Sequence, residues 1–189
     1  MVVPIKFLYY SFFVCKMPEK KVLIICQSIH HNNTIKVAKA MGEVLNAEIK
    51  KPSEIDLAEF DKPGGLDKYK AIGFGSGIYW GRHHIRLMRL VTEFKSLKNK
   101  DVFVFSTSGI SNALNFPLNV FNKCLHFHSP LKKILIGKGA RIVGEFSCRG
   151  FDTYGFLKLI GGVSKGRPNT KDLENAKSFA RDVRRFVNS

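Results

Sequence analysis

The stretch VLIICQSIHHNNTIKVAKA, residues 22–40, decides the fold. Its first five residues are a continuous apolar run rich in Val and Ile, the pattern of a strand covered on both faces. Beyond the polar segment 27–33 the period changes: Ile35, Ala38, Met41 and Leu45 recur at helical spacing, with Lys36, Lys39 and Glu43 between them. A buried strand thus runs through a short polar loop straight into an amphipathic helix.

The same order repeats along the chain. Residues 47–49 form a weak second strand, and 51–65 carry loop and turn chemistry with Pro63, Gly64 and Gly65. YKAIGFG (69–75) reads as a third strand, followed by the loop SGIYWGR (76–82) and a helix marked by Leu87, Met88, Val91 and Phe94. DVFVFS (101–106) is a fourth strand that opens into STSGISN (106–112). A less regular helical region over about 118–136, broken by Pro130, precedes a fifth strand, RIVGEF (141–146). The connection 147–168 is long and glycine-rich, a type of loop that often carries function. Asn169 then caps the last helix, whose apolar stripe is Leu173, Ala176, Ala180, Val183 and Val187. Five strands alternating with helices predict an α/β fold, a three-layer, doubly wound parallel sheet, because parallel strands need crossovers and helices then cover both faces.

In such a sheet ligands bind beyond the carboxyl ends of the strands, where the winding reverses. Three loops there carry candidate contacts. The first (28–34, SIHHNNT) leads into a helix whose free N–H groups and positive dipole end favour a phosphate, with Ser28, Asn33 and Thr34 as side-chain donors and His30, His31 and Asn32 completing the turn. The competing reading is that Asn33 or Thr34 caps its own helix. In the second loop Ser76, Gly77, Ile78 and Gly81 flank Tyr79 and Trp80, aromatics suited to stacking on a flat heteroaromatic ring. The alternative is that both rings cover the sheet edge. The third offers backbone N–H groups at Ser106, Thr107, Ser108 and Gly109 for the carbonyls of a ring system. Together they outline a crevice with a phosphate end and a ring end, the shape of a mononucleotide.

With VLIICQSIHHNNTIKVAKA as strand and phosphate loop, AIGFGSGIYWGRHH as ring loop, VFVFSTSG as fourth strand and GEFSCRGFDTYG after the fifth, the chain resembles the flavodoxin family from residue 20 to 189. The resemblance implies a 2-1-3-4-5 sheet that holds FMN noncovalently, with Cys148, Arg149 and Gly150 added to the contacts. It implies an electron-transfer protein shuttling electrons between redox partner proteins, with a backbone carbonyl of the 77–79 stretch turned to the flavin. The first loop is one residue longer than the family's usual phosphate loop and has Asn32 where glycine is usual; Asn tolerates the left-handed backbone such a turn needs. Two other readings stand beside it: an FMN-dependent oxidoreductase using NAD(P)H or a quinone, and a basic binding module without flavin.

Composition bounds the rest. The 189 residues, 44% hydrophobic, suit one globular domain over 20–189. Residues 1–19 are set apart as an N-terminal extension, either a start-site artefact or a disordered arm, because the apolar run within MVVPIKFLYYSFFVCK is shorter than the roughly 20 residues of a membrane span. Four scattered cysteines without a C-x-x-C pair fit a reduced cytoplasmic compartment. The net charge of +16 points either to a solvated basic surface or to an anionic partner, such as an acidic redox protein. The basic residues form no block of five, so no specific nucleic-acid site is expected.

Three further features carry bland readings. The pairs His30–His31 and His83–His84, with His126 and His128, match no metal-ligand spacing. Cys148 beside Arg149 is read as a small buried residue rather than a reactive thiol. Gly73, Gly75 and Gly77 fail the dinucleotide pattern because Ile78 stands where its third glycine belongs.

Overall fold

A computed structural model of the chain describes residues 21–109 and 127–188. The expectations for residues 1–20, including the N-terminal extension, and for 110–126 lie outside the described residues. Strand β1 (Lys21–Gln27) leads into helix α1 (Asn33–Leu45), and strand β2 (Ala47–Lys50) follows. Next come a short helix α2 (Leu57–Phe60), strand β3 (Tyr69–Tyr79), a two-residue strand β4 (Arg82–His83) and helix α3 (Ile85–Glu93). Strand β5 (Asp101–Ser108), helix α4 (Ser129–Gly137), strand β6 (Arg141–Arg149) and helix α5 (Thr170–Asn188) complete the order.

The sheet runs β2-β1-β3-β5-β6, parallel throughout, with β4 attached antiparallel to β3. Leaving the hairpin strand aside, this is the 2-1-3-4-5 order, and the winding reverses between β1 and β3. Strand alternation sorts the core. Leu23, Ile25, Ile72, Phe74, Val102 and Val104 face α3 and α4, meeting Leu87, Leu90, Val91, Leu131 and Leu135. Val22, Ile24, Cys26, Ala71, Phe103 and Phe105 face α1 and α5, meeting Val37, Ala38, Met41, Ala176, Ala180 and Val183. Each fully buried Leu, Ile or Phe adds about 1.5–3 kcal/mol to this three-layer packing. Gly73 and Gly75 belong to it: a Cβ there would stand 2.3 and 2.1 Å from the rings of Phe103 and Phe105, which lie across β3 in the space the glycines leave.

Four boundaries differ from the sequence reading. Strand β3 does not stop at Gly75 but continues to Tyr79 and turns back into β4. Pro130 does not break a helix; it sits in the first turn of α4, where a missing N–H costs nothing. Strand β6 runs to Arg149, so Cys148 and Arg149 are strand residues paired with Thr107 and Ser108. Within 51–65 the chain forms α2, with both Ala58 and Glu59 N–H donating to the Asp56 carboxylate at its start. Asn169 caps α5 as expected, in a reciprocal box: Asp172 N–H donates to Asn169 Oδ1 at 3.1 Å, and Asn169 N–H to Asp172 Oδ2 at 2.9 Å.

Candidate functional site

The carboxyl ends of β1, β3 and β5 open into one cleft of about 330 Å³. Its first wall is the β1–α1 connection, where His31 and Asn32 take left-handed backbone angles in succession, φ 53° and 55°. They swing the chain into α1 with Asn32 as the residue before the helix, and no side chain caps that end. Asn33 and Thr34 are occupied elsewhere: Asn33 Nδ2 donates to the Phe151 carbonyl at 2.7 Å, and Thr34 Oγ1 lies 2.8 Å from Thr107 Oγ1. The self-capping reading therefore fails; Asn33 N–H donates to the His30 carbonyl at 3.3 Å, and the next amides, of Thr34 and Ile35, face the loop for an anion. Asn33 Oδ1, on the cleft lining, and Ser28 Oγ, on the same loop but not among the lining residues, are buried without a hydrogen-bond partner.

The second wall is the β3–β4 hairpin, with Ile78 opposite His83 and Tyr79 opposite Arg82. Its two-residue turn has φ 52° at Trp80 and 77° at Gly81, the type I′ pattern that matches strand twist. The turn holds Trp80 out, 86% exposed. Tyr79 is half-buried, its ring centroid 5.8 Å from His30, 5.2 Å from His84 and 6.5 Å from Tyr154. Burial, and after it the Asp152 carboxylate, push the Tyr79 phenol above its ordinary pKa, so it stays a hydroxyl donor.

Thr107, Ser108 and Gly109 form the floor, and the segment after β6 forms the third wall with Gly150, Phe151 and Asp152. That segment is clasped rather than loose. Asp152 and Val163 exchange backbone hydrogen bonds of 3.0 and 2.8 Å, Gly150 N–H donates to Ser108 O at 2.9 Å, and Ser164 Oγ to Gly109 O at 2.8 Å. His31 ties the first wall to it, with Nε2 2.8 Å from Thr153 Oγ1 and its ring 4.4 Å from that of Phe151.

Of the sequence candidates, His30, Asn33, Thr34, Gly77, Ile78, Tyr79, Thr107, Ser108, Gly109 and Gly150 line the cleft together. His31 and Asn32 lie exposed at its lip, and Trp80 and Gly81 at the hairpin tip. Ser76 and Ser106 are buried behind the walls. Cys148 packs against the α1–α5 core, where burial above all pushes its thiol up to about 12. Arg149 is half-buried on β6 outside the cleft lining. Sequence reasoning missed Ile29, Phe151 and Asp152 on the lining and Thr153 and Tyr154 beside it. The signal was present: FDTY lies between Gly150 and Gly155, the same aromatic-in-glycine pattern that singled out Tyr79 and Trp80.

No Lys or Arg stands among the described lining residues, despite the net charge of +16. The histidines scatter: His84 Nδ1 accepts from Arg86 N–H at the start of α3, and His83 and His128 are buried with ring centroids 5.0 Å apart. Among the described residues no group of three or more His, Cys, Asp or Glu is placed to hold a metal ion, and no helix is long and apolar enough to cross a membrane.

The donor set suits a ligand with an anionic end and a flat ring: amides and hydroxyls at one end of the cleft, aromatic rings at the other. A parallel sheet wound in this order, with its crevice at the reversal, is a flavodoxin-like α/β domain. The family model described as "Flavodoxin domain" matches residues 23–116. An uncharacterized protein of Methanocaldococcus jannaschii is 42% identical over 163 residues, which cover 86% of this chain and 97% of that protein. The chain belongs to the flavodoxin family. Among solved structures, a flavodoxin from the domain Archaea aligns with TM-score 0.57 at 16% identity, covering 89% of this chain and 99% of that one. Flavodoxin 2 from Bacillus cereus aligns with TM-score 0.59 at 19% identity, covering 88% and 99%. Rubredoxin oxygen:oxidoreductase from Desulfovibrio gigas aligns with TM-score 0.63 at 17% identity, but the chain spans only 37% of that protein.

Proposed function

We propose that the cleft binds FMN and that the protein carries electrons between redox partner proteins. The observation that carries the reading is the start of α1, where the Asn32 side chain makes no cap, together with the partnerless Ser28 hydroxyl on the loop that leads to it. A phosphate there would accept from both, without needing a lysine or arginine. FMN supplies the electron chemistry. The chain's own residues would bind and orient it: the Thr34 and Ile35 amides and the Ser28 hydroxyl at the phosphate, Tyr79 and Trp80 at the ring, Thr107 to Gly109 beneath. A cleft with no cation among its described lining residues and a carboxylate at Asp152 would disfavour negative charge building up on the ring.

The exposed ring pair Trp80–Tyr154, 6.4 Å apart at the rim, favours a second reading, an FMN-dependent oxidoreductase that stacks a flat acceptor there. The net charge suits an acidic partner in either case, and the four scattered cysteines without a C-x-x-C pair suit a reduced, cytoplasmic setting.

Titration of the apo-protein with FMN, followed by quenching of flavin fluorescence, tests the binding. One-to-one saturation is expected, with Ser28→Ala weakening it about tenfold, the weight of one charge-assisted hydrogen bond; absence of saturable binding overturns the proposal. Steady-state NADPH oxidation by the loaded protein without added reductase separates the two readings, since a carrier turns over slowly.

A further inference from the structure

The ring-side wall of the cleft is held from within. Ser76, fully buried near the end of β3, has three partners around one oxygen. It accepts from His84 N–H at 2.9 Å and donates to the Gly77 carbonyl at 2.9 Å, and His83 Nδ1 lies 2.9 Å away. A hydroxyl has a single hydrogen. With that hydrogen on Gly77 O, His83 must donate from Nδ1, which fixes it as the neutral Nδ1–H tautomer. Its Nε2 is then a bare acceptor, and Nε2 is indeed buried without a partner.

The surroundings keep this state. The ring facing His83 is His128, whose Nε2 lies 2.8 Å from Ser106 Oγ and whose Nδ1 lies 3.1 Å from Glu145 Oε2. Glu145 in turn pairs with Lys132. The Glu145 carboxylate is thus taken by His128 and Lys132, and a proton on His83 meets burial and a second imidazole, which together pull its pKa down to about 3.

We propose that His83 is the positioning residue of the ring-side wall: by donating to Ser76 it commits the serine's only hydrogen to the Gly77 carbonyl and so fixes the peptide that borders the cleft. The Nε2–H tautomer would do the reverse. Ser76 would then give its hydrogen to Nδ1, and the Gly77 carbonyl would lose its partner. The consequence for flavin rests on the FMN reading above; the hydrogen-bond arrangement does not.

The test therefore has two arms. In the ¹⁵N-labelled apo-protein, His83 is expected to show a protonated Nδ1 and an unprotonated Nε2, and Ser76→Ala is expected to shift the Gly77 carbonyl ¹³C resonance. His83→Leu should reproduce that shift, while His83→Asn, whose side-chain amide can donate from near the Nδ1 position, should restore it. In the FMN titration His83→Leu should weaken binding about tenfold, as expected for one lost hydrogen bond, and His83→Asn should stay near the parent. An Nε2–H tautomer, or a Gly77 carbonyl resonance indifferent to Ser76→Ala and His83→Leu, overturns the proposal. A held Gly77 in a protein that takes no FMN overturns the flavin reading alone.

Discussion

Two left-handed corners face each other across the cleft, His31–Asn32 at the start of α1 and Trp80–Gly81 at the hairpin tip, and they are braced in opposite ways. The first leans on distant chain: Asn33 reaches Phe151, 118 residues on, and His31 reaches Thr153, 122 residues on. The second is braced by neighbours, since Ser76 binds His83 and His84, 7 and 8 residues away. Local contacts close with little loop entropy, whereas the long-range ones form only once the 150–164 segment has docked. The ring-side wall is therefore a built-in part of the sheet, and the phosphate-side wall is an assembly of two segments that separate together.

The largest expected effect tests the inward brace by pH. Burial lowers the pKa of His83 to about 3, from 6.5, and lowers that of His128 as well. Below about pH 6.5 the unfolded chain takes up protons that the folded chain refuses, so stability falls as pH drops, towards about 1.4 kcal/mol per unit for His83, with His128 acting in the same direction. Between pH 6.5 and 4.5 the loss from His83 alone should reach about 2.3 kcal/mol, since the unfolded histidine is only half protonated at the upper end. Urea unfolding midpoints across this window measure it, and His83→Asn should remove one histidine's share of the slope. A parent and variant with equal slopes would contradict the buried neutral assignment.

The outward brace is broken by Asn33→Leu. The Phe151 carbonyl then loses its 2.7 Å donor at a part-buried position, at a cost of about 2 kcal/mol. Hydrogen exchange sharpens the comparison: amides of 150–154 should exchange faster, while those of the 78–83 hairpin keep their protection. Equal acceleration in both would show that the two walls are one cooperative unit.

What the sequence made legible follows the same division between local and distant. Residues 22–40 announced β1 and α1 because period and burial change within one window, and Asn169 announced its cap because Asp172 is three residues away. The extension of β3 stayed hidden since glycines and Ser76 blur the alternation, and since Trp80 is a poor residue for a type I′ turn. Phe151 and Asp152 were missed because what brings them to the cleft is a pairing with Asn33 and a backbone bridge to Val163, neither of which has a local signature. His83 and His128 look like surface residues until partners from β3, β5 and β6 are in place around them.

A gain of stability at the expense of the site is expected at the hairpin tip. Trp80 pays for its left-handed angle without packing to offset it, being 86% exposed, with Tyr154 6.4 Å away as its ring neighbour. Trp80→Asn creates the Asn-Gly turn that type I′ geometry favours and should raise stability by about 1 kcal/mol. If Trp80 stacks on the ligand, the same variant should weaken FMN binding. A rise in midpoint with unchanged FMN affinity would leave Trp80 as an ornament of the rim rather than a part of the site.

The smallest effect is expected where strain and contact nearly cancel. His31→Gly removes a left-handed cost of about 1–2 kcal/mol at φ 53° but also the exposed bond to Thr153 and the ring contact with Phe151, worth about 1 kcal/mol together, and glycine adds unfolded-state entropy of similar size. The unfolding midpoint should hardly move. Exchange of the 150–154 amides should nonetheless quicken, since one of the two ties from α1's corner to that segment is gone while the global balance is kept. A midpoint that falls by as much as in Asn33→Leu would show that the exposed tie, not the buried one, holds the phosphate-side wall together.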